Sequence, residues 1–150
     1  MRPVVLLRIA SVLTLIHAVL HTIGGVFGEV EPGPATVAVQ AMKRNEFLLM
    51  GHARTYWDFY RGMGLGVTIF LAAEAILFWQ LGTLAKTDAG RLRPILYTFS
   101  IAYVVLAVNS NAYFFVAPVI TEIFIAACLA MTIVGAKSQP GADAGTRQRA

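Results

Sequence analysis

"VVLLRIASVLTLIHAVLHTIGGVF", Val4 to Phe27, decides how the rest of the chain is read. A helix rises about 1.5 Å per residue, so roughly 20 apolar residues cross a hydrocarbon layer ~30 Å thick. This run is long enough to do so. It also carries two histidines, His17 and His21, four residues apart in a segment otherwise suited to lipid.

Three further runs have the same character: about Phe59 to Leu81, Ile95 to Ala112 after the "RLRP" punctuation, and Val116 to Ala136. Pro118 suits the first turn of the last one, where a missing N–H costs nothing. The tight "NSNAYFF" connection makes the last two runs an antiparallel helical pair. The spans therefore cover about 4–27, 59–81, 95–112 and 116–136. Residues 1–136 form one membrane domain, and the polar, Pro/Gly-bearing tail 137–150 is expected to be disordered. The first run could also be read as a cleaved secretory signal, because Arg2 and Arg8 precede or enter it. Its apolar part is too long for a usual signal core, and histidines are foreign to one.

Bulk composition agrees. Of 150 residues, 57% are hydrophobic and 13% charged, with mean hydropathy +0.68. A soluble domain has about a quarter charged residues, and soluble packing cannot hide so much apolar surface. The net charge of +4 raises the question of nucleic acid. Yet the cations sit at segment ends, with no basic stripe and no interleaved aromatics. Membrane lipid, with its anionic headgroups, is the expected partner, and nucleic acid is not. A single cysteine, Cys128, forbids an intrachain disulfide.

Topology follows from the cations. Arg2, Arg8, Lys86, Arg91, Arg93, Lys137, Arg147 and Arg149 fall on one side, and Lys43, Arg44, Arg54 and Arg61 on the other. The positive-inside rule then places both termini and the second loop in the cytoplasm. The first loop, Glu29 to Trp57, is the longest extramembrane element. Within it "ATVAVQAMKRNEFLLMG" has helical propensity and is expected to form a short interfacial helix. "RTYWDFYRG" then puts Tyr56, Trp57, Phe59 and Tyr60 at headgroup level, an ordinary aromatic belt. The fold class is thus all-α: an up-down four-helix transmembrane bundle with a short interfacial helix in its first extracytoplasmic loop.

Ionisable residues inside spans are expensive, so each is a site hypothesis by default. Counted from the helix midpoints, His17 lies about 2 Å outward of centre, His21 about 8 Å, Glu122 about 5–6 Å and Asn109 about 9 Å. With Asp58 and Arg61 above them, these residues outline a polar pocket opening outward. Glu74 lies about 6 Å inward, at the level of Ser11, Tyr97, Ser100 and Thr132. It needs hydrogen-bond partners there, and Ser11, Tyr97 or Ser100 are the expected ones. Ala10, Thr14, His17, His21 and Gly24/Gly25 recur at helical spacing, so both histidines face the bundle. Gly62 and Gly66 form a weak small-xxx-small packing motif.

Several chemistries compete for these residues. A histidine pair at i, i+4 can hold a metal, with Glu122 as an oxygen donor. But "HAVLH" lacks the acid of the zinc-protease motif, haem would want histidines on opposing helices, and no Glu-x-x-His pair suggests di-iron. No metal or cofactor is expected. Glu74, Glu122 and the histidines could serve proton-coupled transport, which in so short a chain requires a homodimer. A His/Glu pair also suits acid–base isomerisation of a lipid or sterol-like substrate. The plainest account is that polar contacts hold the helices together, at roughly 0.6–2 kcal/mol each. Enzymatic activity is the less favoured expectation, and a pocket for a lipid-like or small ligand or a partner is the favoured one.

"RIASVLTLIHAVLHTIGGVFG", "RTYWDFYRGMGL" and "YFFVAPV" together resemble a family of small bacterial proteins with four transmembrane helices. The likeness runs from about Arg8 to Gly135, and the Trp57-Asp58-Phe59-Tyr60 lead-in to the second span is its most specific part. It implies an integral inner-membrane protein and assigns no activity and no catalytic residue. It mildly favours roles beyond anchoring for Asp58, His17 and His21.

Overall fold

The architecture is that of a computed structural model, and the structure describes residues 2–137. The tail expected to be disordered lies outside the described residues from position 138 onward. The elements are α1 (Pro3–Leu20), a π-helical turn (His21–Val26), α2 (Pro34–Arg44), β1 (Glu46–Leu49), β2 (His52–Thr55), α3 (Tyr56–Asp88), a 3-10 turn (Gly90–Leu92), α4 (Arg93–Tyr113) and α5 (Val116–Lys137). Four of the helical stretches are long and apolar enough to cross a membrane. Prolines sit in the first turns of α2 and α4, where their fixed φ suits the helix and no donor is lost.

The chain divides into two compact units, Met1–Thr14 with Glu74–Ala150, and Leu15–Ala73. The first unit brings together the start of α1, the second part of α3, and all of α4 and α5. Leu7 and Ala10 from α1, Phe78 and Leu81 from α3, Leu96 and Tyr103 from α4, and Ile125 and Leu129 from α5 share one buried core. Phe78 meets the Phe99 ring edge-on at 5.2 Å, the arrangement that ring quadrupoles prefer. Buried alanines, among them Ala85, Ala107 and Ala126, let the backbones come close, which is how helices associate without a hydrophobic drive. The outward residues of α4 and α5 remain apolar: Val104, Val105, Ile123 and Phe124 are all exposed.

Two polar ties fasten α1 to α3 in this unit. The Ser11 hydroxyl donates to the Ala75 carbonyl at 2.6 Å. Arg8 donates through Nη2 to Thr83 Oγ1 at 2.9 Å, and its guanidinium carbon stands 3.5 Å above the Trp79 ring. Arginine over tryptophan is the favoured cation–π pairing.

The second unit holds the rest of α1, the π-helical turn, α2, the hairpin and the first part of α3. Here the structure departs from the sequence expectation. The helix expected across "ATVAVQAMKRNEFLLMG" stops at Arg44, and the following residues pair as an antiparallel hairpin with Glu46 opposite Thr55 and Leu49 opposite His52. Asn45 takes an extended backbone, while Met50 and Gly51 both have positive φ, the mark of the tight turn that matches strand twist. The physical cause is tertiary: Phe47 packs 4.9 Å from the Tyr56 ring and 5.4 Å from Phe59. That aromatic contact outweighs a modest helical preference. Most of the "RTYWDFYRG" lead-in is already helix, because α3 begins at Tyr56, three residues before the expected start of the span, and its 33 residues extend about 50 Å.

Candidate functional site

The sequence-derived site residues fall in both units. Glu74, Asn109 and Glu122 belong to the first, and His17, His21, Asp58 and Arg61 to the second.

In the first unit two carboxyls are held by hydroxyls. Glu74 is half-buried on α3, and Tyr103 on α4 donates its phenolic proton to Glu74 Oε2 at 2.7 Å. Thr14 on α1 lies 3.4 Å from the Tyr103 oxygen and donates its own proton to the Ala10 carbonyl at 2.9 Å. Each hydroxyl has one proton, and both are committed, so the Thr14–Tyr103 approach is a close dipolar contact. Tyr103 is 1% exposed and Thr14 fully buried. The hydroxyl that binds Glu74 Oε2 belongs to none of the partners expected for it. Ser11 binds Ala75, Tyr97 is exposed beneath the Arg93 guanidinium, and Ser100 Oγ is buried with no partner among the described residues. The longer phenol, one helical turn beyond Ser100, reaches where a serine hydroxyl does not.

Glu122 on α5 is only 3% exposed. Its Oε1 accepts from Ser110 on α4 at 2.9 Å, and its Oε2 is buried with no partner among the described residues. Asn109, placed with Glu122 by depth along the helix, is exposed. Helical phase explains the difference: Leu96, Tyr103, Ala107 and Ser110 are the buried positions of α4, spaced seven, four and three apart. Ser110 shares the face of Tyr103, and Asn109 stands about 100° round the helix from it.

In the second unit His21 Nε2 is 3.1 Å from the Gly64 carbonyl oxygen on α3. A carbonyl only accepts, so the proton of this imidazole is assigned to Nε2 and the nitrogen is occupied. His17 is half-buried and its Nδ1 has no partner among the described residues. The π-helical turn starts at His21, and such turns recur at functional sites because they disturb the helical ladder. Here the disturbed stretch is tied to α3. Thr22 and Thr68 hydroxyls meet at 2.9 Å, and Tyr60 donates to the Gly25 carbonyl at 3.0 Å. Gly64 permits the approach, since a Cβ there would stand 2.8 Å from Val26 Cγ2. Among the described residues no group of three or more His, Cys, Asp or Glu side chains is arranged to hold a metal.

Asp58 has a structural occupation. The Thr55 backbone N–H and hydroxyl both donate to Asp58 Oδ2, at 2.8 and 2.9 Å, and the Asp58 N–H donates back to Thr55 Oγ1 at 3.1 Å. This is a reciprocal cap on the first turn of α3. Arg61, one turn further on, is half-buried with its guanidinium carbon 4.8 Å from the Phe27 ring. It lines an open cavity of about 400 Å³, together with Phe27, Glu29, Gln40, Lys43 and Trp57. Lys43 Nζ stands 4.9 Å over the Trp57 ring. Neither Arg61 nor Lys43 forms an ion pair among the described residues.

Three contributors escape a reading by depth alone. Tyr103 and Ser110 are revealed by helical phase, which the spacing of small and polar residues in "YVVLAVNS" already contains. Lys43 could not be found that way, because it reaches the cavity from α2 through the fold of the loop. The chain matches no protein-family model, no curated protein and no solved structure.

Proposed function

We propose that the chain is a multi-pass protein of the bacterial inner membrane that binds a small or lipid-like ligand in the open cavity beside Arg61. In this reading it is an up-down bundle of the family its sequence resembles, with both termini cytoplasmic and α2 on the outer interface. The cavity then opens at the outer surface, at headgroup level. What carries the reading is the lining itself: two cations without an ion pair, Arg61 and Lys43, beside the aromatic walls Phe27 and Trp57. Its volume of about 400 Å³ lies within the range of small-ligand sites. His21 opens the π-helical turn that ends in Val26 and Phe27, two of the cavity walls, so its hydrogen bond to Gly64 holds the wall in place.

Native mass spectrometry of the detergent-purified protein tests this. A lipid or small molecule should copurify with the chain and be lost in Arg61→Gln. A bare wild-type chain under gentle activation would count against ligand binding.

The unpartnered Glu122 Oε2 favours a second reading, proton-coupled transport by a homodimer. Neither Glu74 nor Glu122 has a salt-bridge partner among the described residues, and each is held by a hydroxyl. A carboxyl so placed can take up and release a proton inside the bundle. In liposomes, Glu74→Gln and Glu122→Gln should each abolish pH-driven uptake, and uptake unchanged in both would end this reading.

A further inference from the structure

We infer that the cavity between the end of the π-helical turn, α2 and the start of α3 selects an amphiphile with a single anionic head, a carboxylate or a phosphate. The inference rests on the ligand-binding reading above and names the class of ligand. Two cations line the cavity, Arg61 and Lys43, against one carboxylate, Glu29. The remaining positive charge matches one anionic group. Asp58 forms no ion pair with Arg61 among the described residues, and its Oδ2 accepts two hydrogen bonds from Thr55.

The two cations are also held in place without being consumed. Arg61 lies over Phe27 at 4.8 Å and Lys43 over Trp57 at 4.9 Å. A ring face restrains a cation but leaves its N–H donors free for an oxygen anion. A guanidinium supplies a planar fork that fits carboxylate or phosphate oxygens in pairs, and the lysine adds a mobile point charge. The other walls, Val26, Val39 and the two rings, offer an apolar surface for a hydrocarbon body. A neutral lipid would leave that remaining positive charge uncompensated beside the apolar surface, and a cationic amphiphile would be repelled.

The sequence has two tryptophans, so Trp79→Phe leaves Trp57 as the sole indole and a reporter inside the cavity. In phosphatidylcholine nanodiscs, decanoate should change Trp57 emission saturably, whereas decanol and decyltrimethylammonium should not. Arg61→Gln and Lys43→Gln should each shift the decanoate midpoint at least about tenfold, the loss of one charge-assisted contact. Circular dichroism checks that each variant is folded. Midpoints equal for decanoate and decanol, and unmoved by either substitution, overturn the anionic class while leaving a ligand cavity. No saturable change with any amphiphile overturns both the class and the cavity reading. Nanodiscs containing phosphatidylglycerol separate the sources. Loss of the decanoate response there, restored in Arg61→Gln discs by neither lipid, identifies the bilayer headgroup as the occupant. A response that persists identifies the free acid. Both results support the anionic class.

Discussion

The two units of this molecule are built on opposite principles. In the first, four helical segments bury Leu7, Phe78, Leu96, Tyr103, Ile125 and Leu129 completely or nearly so, and the polar groups there are small or matched to hydroxyls. In the second, among the described residues, Ala18, Val26 and Leu71 are the buried hydrophobics. What holds the second unit is directional: the Thr55–Asp58 cap, the His21–Gly64 bond, the Thr22–Thr68 contact and rings stacked near cations. Dense packing resists change, while directional contacts around an open cavity can rearrange when a ligand arrives. Low-stability regions are where binding surfaces are commonly drawn from.

The contrast can be broken most forcefully at Tyr103. Tyr103→Ala removes a fully buried ring and the donor to Glu74, and should lower stability in detergent by about 3 kcal/mol, at the low end of large aromatic truncations. Tyr103→Phe should lose only about 1 kcal/mol, the hydrogen bond without the packing. If the two variants melt alike, packing is not what holds the first unit.

Gly64→Val comes next. The added side chain must displace Val26, whose Cγ2 would lie 2.8 Å from the new Cβ, at about 1–3 kcal/mol. Amide hydrogen exchange should rise across residues 21–26 and stay low in α4 and α5. Equal rises in both places would show that the units do not differ in the way described.

A smaller effect, about 1 kcal/mol, is expected of Thr55→Ala, which deletes the N-cap of α3. Its signature should be faster proteolysis between Glu46 and Phe59 with an unchanged midpoint for the rest of the chain. The smallest change goes the other way. Met50 holds φ 51, a left-handed backbone that asparagine tolerates better, so Met50→Asn should stabilise the hairpin by about 0.5 kcal/mol. A lower melting temperature in that variant would mean that the exposed Met50 side chain makes a contact of its own.

The four helices long and apolar enough to cross a membrane were legible from the chain because hydrophobic length is a local property. A run of apolar residues announces itself without any neighbour. The candidate site was legible in part. Depth along each helix set Glu122 and Asn109 at comparable levels, but depth ignores the angular position around the helix. Phase selects Ser110 as the partner of Glu122 and leaves Asn109 exposed. For Glu74, side-chain reach mattered as well, and the phenol of Tyr103 prevailed over nearer-level serines. Asp58 looked like a pocket roof because it is acidic and stands near a span. Its hydrogen bonds with Thr55, three residues away, instead cap a helix whose start lay earlier than hydropathy suggested.

Composition and hydropathy by themselves determined that this is a helical protein with four stretches fit for a bilayer, because an unbroken apolar run of about 20 residues satisfies its own backbone in lipid only as a helix. They also determined which residues are costly there: His17, His21, Glu74 and Glu122. Only the tertiary structure decided what those residues touch, that "EFLLMGHART" is a hairpin, and that Lys43 and Arg61 line one cavity. The physical reason is range. Transfer free energy and helix length act along the chain, whereas a hydrogen bond or a shared cavity depends on the angle and reach of side chains from distant segments.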